Sequence, residues 1–180
     1  MKTGFFIGLA LAILSGLLAW PMSELGQWLA PRIDLPFSDW QTILIGLTFG
    51  ALVMARFCSA SSLKLLRRVL MCIASILIYM LATRLAIHEF YLEMLSSELS
   101  MVMAGATGGL LVGIAVSFFG GYRPRFQHWL LTMLAGSLGG IPFALFIFGT
   151  SEWLTVLCFV AWQSLVYCAL FYSHNARQSA

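Results

Sequence analysis

The chain has 180 residues, 61% of them hydrophobic and only 9% charged, with a mean hydropathy of +0.92. Globular domains carry about 25% charged residues, so this composition argues against a water-soluble domain. The net charge of +3 is dispersed over short gaps and offers no surface for nucleic acid.

Six apolar runs, at 5–20, 40–57, 69–87, 99–119, 129–148 and 153–172, take up most of the sequence. Each approaches or exceeds the roughly 20 residues that a helix needs to cross a bilayer. The predicted fold is therefore all-α: a single domain over 1–180, a bundle of six transmembrane helices, with the amino and carboxyl termini cytoplasmic.

In the first run Gly4, Gly8, Ala12 and Gly16 recur every fourth residue and make a smooth helix-contact stripe. Trp20 and Pro21 follow it where a signal peptide would need small residues, so the run reads as a retained span. The connector 21–39 mixes apolar and polar residues. Ser23 to Ala30 is expected to form a short amphipathic helix ended by Pro31, either a lid over the bundle or a foot in the interface.

The second run carries Gly46 and Gly50 and ends near Arg56, whose long stem can reach headgroups. In the third, Arg84, His88 and Tyr91 fall on one helical face near the far end, beside the acidic pair Glu89 and Glu93. The fourth has a second contact stripe at Gly105, Gly109 and Gly113. Its GATGG segment lies inside an apolar helix, so it is not a phosphate loop. Pro142 sits inside the fifth run just after Gly139 and Gly140. Trp162 and Gln163 lie near the centre of the sixth, where a primary amide needs a partner such as Tyr79 or Thr107.

Charge sets the threading. Lys2, Arg56, Lys64, Arg67, Arg68, Arg123, Arg125 and Arg177 fall at alternate gaps and the two termini. The intervening gaps hold all the acids, Glu24, Asp34, Asp39, Glu89, Glu93, Glu98 and Glu152, with only Arg32 and Arg84 as cations. Because Lys and Arg stay on the cytoplasmic side, both termini are assigned there, and the protein to the inner membrane as a multi-pass chain.

Catalytic signatures are missing. The sequence has no HExxH, no GxSxG and no paired intramembrane aspartates, and His88, His128 and His174 belong to separate gaps. None of the four cysteines forms a CxxC pair. No enzyme activity, catalytic residue, metal or cofactor is expected. The function expected instead is a small-solute binding or transport component with an outward-facing site at Arg84, His88, Tyr91, Trp162 and Gln163. The alternative is a non-catalytic membrane subunit, an anchor, assembly factor or effector of a larger complex. An oligomeric channel ranks below both, because no span carries the continuous polar stripe that a pore needs. The expected partners are the lipid bilayer, further copies or other membrane subunits, and a small solute.

In topology the chain resembles the substrate-binding S components of energy-coupling-factor vitamin transporters. That resemblance implies a first helix that docks a coupling subunit through small residues at helical spacing. Here Gly4, Gly8, Ala12 and Gly16 stand in place of the alanines usual in that family.

Overall fold

The computed structural model describes residues 2–33, 40–58, 63–87, 96–120, 125–146 and 152–175. Every regular element among them is helical: α1 (Lys2–Leu17), α2 (Ala19–Leu29), α3 (Trp40–Leu52), a 3-10 turn (Met54–Phe57), α4 (Lys64–Ile87), α5 (Ser97–Phe119), α6 (Phe126–Phe146) and α7 (Glu152–Asn175). Six of the resulting rods are long and apolar enough to cross a membrane. Leu77, Leu138, Leu157 and Phe118 are more than half exposed on their outer faces. A soluble protein rarely leaves so much contiguous apolar surface uncovered.

The first rod is longer than its apolar run. The expected connector from Pro21 is helical from Ala19 instead, and α2 continues α1 almost without interruption. Pro21 lacks the N–H that would bond to Leu17, and α1 ends at that residue. The ladder resumes at once, with Leu18 N donating to Leu14 O and Met22 N to Leu18 O. The expected helix at Ser23–Ala30 is thus the end of a proline-interrupted rod spanning Thr3–Leu29.

The second rod is short in α-helical residues. The 13 residues of α3 rise about 20 Å, and the four-residue 3-10 turn adds about 8 Å. Together they match a hydrocarbon core of about 30 Å. The third rod starts at Lys64 rather than Val69, because the charged turn with Arg67 and Arg68 belongs to the helix. The last two begin or end beyond their runs, at Phe126 and Asn175.

Neighbouring rods pack in the order α1, α7, α6, α5, α4 and α3, and α1 meets α3 to close the ring. The seam between α1 and α7 uses the first small-residue stripe. Tyr167 lies against Gly8 and donates its hydroxyl to Phe5 O at 3.1 Å. A methyl group added at Gly16 would stand 2.6 Å from Val160 Cα. Ala12 is fully buried between these points, whereas Gly4 has open space around it. With Phe5 edge to face against Phe171 at a centroid distance of 5.0 Å, the start of α1 and the end of α7 share one end of the bundle.

The seam between α5 and α6 is tighter. Gly105, Gly109 and Gly113 meet Gly136, Gly140 and Thr132, and at Gly105 and Gly109 the facing atoms are backbone. Such contact is how helices associate where lipid removes the hydrophobic incentive. Hydroxyls that would be stranded bond locally: Ser117 Oγ donates to Gly113 O at 2.8 Å and accepts from Trp129 Nε1 at 3.1 Å.

Candidate functional site

Where the glycine seams close the bundle, aromatic side chains hold it apart. Phe49 on α3, Tyr79 on α4 and Trp162 on α7 pack ring against ring with centroids 5.5–5.9 Å apart, at the bundle centre. Gln163, next along α7, is completely buried. Its Nε2 donates to Tyr79 Oη at 2.9 Å, one of the two partners suggested by the sequence. Its Oε1 has no hydrogen-bond partner among the described residues.

Beside this cluster, toward the end of the bundle where α2 and Glu24 lie, two cavities adjoin. The inner one, about 150 Å³, is walled by the far halves of α4, α5, α6 and α7, with Ala82, Met101, Gly105 and Trp162 among its lining. It is almost wholly apolar. The outer one, about 370 Å³, lies between α2, α3, α4 and α7 and is lined by Ser23, Glu24, Gln27, Gln41, Thr42 and Thr155 among others. Tyr79, Thr83, Phe143 and Phe159 line both, so the two spaces adjoin along these side chains. A volume of 370 Å³ lies within the range of small-molecule pockets. A third hollow at the opposite end, against His128, Thr132 and Ser173, holds about 20 Å³, room for one water.

The outer chamber is roofed by α2. Trp20, Ser23, Glu24 and Gln27 recur at helical spacing and face the chamber. Leu25 and Trp28, on another face, are exposed, and so are Glu24 and Gln27 at the chamber's rim. The helix is held in this orientation from two sides. Gly26 seats directly on α3, where an added methyl group would stand 2.5 Å from Gln41 N. Beyond its end, the Arg32 guanidinium lies 3.8 Å over the Trp28 ring and donates to Trp28 O. Trp40 Nε1 then donates to Ile33 O at 3.0 Å, tying the segment after α2 to the start of α3.

The residues singled out from sequence divide three ways. Trp162 lines the inner chamber, and Gln163 reaches it only through Tyr79. Arg84 is exposed and lines neither chamber. His88 and Tyr91 lie outside the described residues, as do Asp34, Asp39, Glu89 and Glu93. Among the described residues, no group of three His, Cys, Asp or Glu side chains is placed to hold a metal.

Most of the chamber wall was not picked out from the sequence. Two signals were available. Trp20, Ser23, Glu24 and Gln27 form a stripe, and Tyr79 with Thr83 and Thr155 with Phe159 are pairs four apart, one helical turn. Comparison with known protein families, with characterised proteins and with solved structures finds no match.

Proposed function

We propose that this chain is a non-catalytic inner-membrane protein, with both termini cytoplasmic, that binds a small solute in the paired chambers at its outer end. The observation that carries the reading is the 370 Å³ outer chamber, which sets Ser23, Glu24, Gln27, Gln41, Thr42 and Thr155 among apolar side chains beside α2 and adjoins a nearly apolar space. The threading rests on the positive-inside bias, which puts the end bearing Lys64, Arg67 and Arg68 in the cytoplasm and the chambers outside. Transport would require a partner or a rearrangement that opens the chambers inward.

The subunit alternative drew on the small-residue stripes as docking faces for other chains. Those on α1 and α5 are covered by α7 and α6, except at Gly4. The stripes therefore do not favour it over solute binding.

A thermal-shift screen of small solutes on the purified protein tests the proposal. Thr83→Trp puts a large side chain where the two chambers adjoin, so solutes that stabilise the wild type should give no shift with this variant. Absence of any stabilising solute, or equal shifts for a folded Thr83→Trp protein, would count against it.

A further inference from the structure

The two chambers differ in chemistry, and the difference specifies what fits. Among the described lining residues Glu24 is the only charged side chain, and it belongs to the outer chamber. The two cations of the acid-bearing gaps do not line the chambers: Arg32 stacks on Trp28, and Arg84 lines neither space. Around Glu24, the amides of Gln27 and Gln41 and the hydroxyl of Ser23 supply further hydrogen-bond acceptors. An anionic head group would meet a carboxylate there and no described cation. An ammonium would meet an opposite charge and several acceptors.

Aromatic faces extend the same preference inward. Trp20 flanks the outer chamber, and Tyr79, Phe143 and Phe159 stand where the chambers adjoin. Phe143 and Phe159 meet edge to face with centroids 5.0 Å apart. Such rings attract a cation through their negative faces and offer apolar area to whatever follows it. The inner chamber then sets the size of the remainder. About 150 Å³ of nearly apolar space is the volume of a cavity that takes one benzene ring, and a second polar group there would find only the Tyr79 and Thr83 side chains as polar company among the described lining.

We propose that the site takes an aryl-alkyl ammonium, its cationic nitrogen in the outer chamber by Glu24 and its ring in the inner chamber against Trp162. This rests on the solute-binding reading above and adds to it the sign and shape of the ligand.

Calorimetric titration of the full-length protein in nanodiscs tests it, with phenethylamine, 2-phenylethanol and phenylacetate as probes of one shape and three charges. Phenethylamine should bind about tenfold tighter than the alcohol, the combined gain of the Glu24 contact and the aromatic faces, and phenylacetate weakest of the three. Glu24→Gln, a change at an exposed position, should cut that advantage several-fold while the alcohol shows no comparable loss. Ala82→Phe, which fills the inner chamber, should weaken both. Equal affinities for amine and alcohol, tighter binding of phenylacetate, or an undiminished amine affinity in Glu24→Gln would overturn the inference. So would no binding of phenethylamine. In each case the solute-binding reading is judged separately, by the Thr83→Trp screen.

Discussion

Two regions of this bundle solve opposite problems with the same apolar alphabet. Along α5 and α6, glycines bring two backbones into contact and leave no space between them. Between α2, α3, α4 and α7, large rings and polar side chains keep the helices apart and leave a 370 Å³ hollow. In lipid, apolar surface alone does not decide which helices touch, so side-chain size sets where the bundle is solid and where it is open. The closed seam is a rigid spine, and the open region is where a ligand can be accommodated.

The sharpest way to break this contrast is to put bulk into the seam. Gly109→Leu would drive a side chain into Thr132 O and the Gly136 backbone, neither of which can rotate away. It should cost about 3 kcal/mol, read as loss of the monodisperse peak on size exclusion and a lowered melting temperature in detergent. Gly26→Val attacks the roof instead, forcing α2 off Gln41. Its expected cost is about 1–2 kcal/mol, with faster hydrogen exchange confined to α2 and the start of α3.

Gln163→Leu removes the amide bonded to Tyr79 and leaves that hydroxyl buried. Because interhelical hydrogen bonds in membranes average only about 0.6 kcal/mol, the melting temperature should fall slightly. A double-mutant cycle with Tyr79→Phe should return a coupling of about that size. Gly4→Leu should do least of all, since nothing lies within 4 Å of the added carbon. A loss comparable to that of Gly109→Leu would show that the α1 stripe is engaged beyond the bundle.

How much of this could be read in advance depends on the range of the interaction responsible. The six spans are local: a run of apolar residues suffices, and each run became a helix. The small-residue stripes are local too, but their partners are not. Nothing about Gly8 names Tyr167, and nothing about Gly109 names Thr132. The connector expected from Pro21 is helical instead, because an early position in a helix tolerates a missing N–H. The chamber was the least legible feature. Its walls come from α2 through α7, each contributing a few residues, and its volume depends on how far Phe49, Tyr79 and Trp162 hold the rods apart. Arg84 drew attention by charge, while Thr83, one residue earlier, is the one that lines both spaces.

Sidedness is the premise on which an outward-facing chamber depends, and single-cysteine labelling addresses it directly. The native thiols are buried or half-buried. At Cys58 burial also pushes the thiol above its ordinary pKa, against the pull of Arg68 and Arg67, which slows reaction with maleimides. In a cysteine-free background, Gln27→Cys on the roof should react with a membrane-impermeant maleimide in intact cells, after permeabilisation of any outer membrane. Lys64→Cys should react only in inverted vesicles. Labelling of Lys64→Cys from outside, with Gln27→Cys protected, would contradict the account.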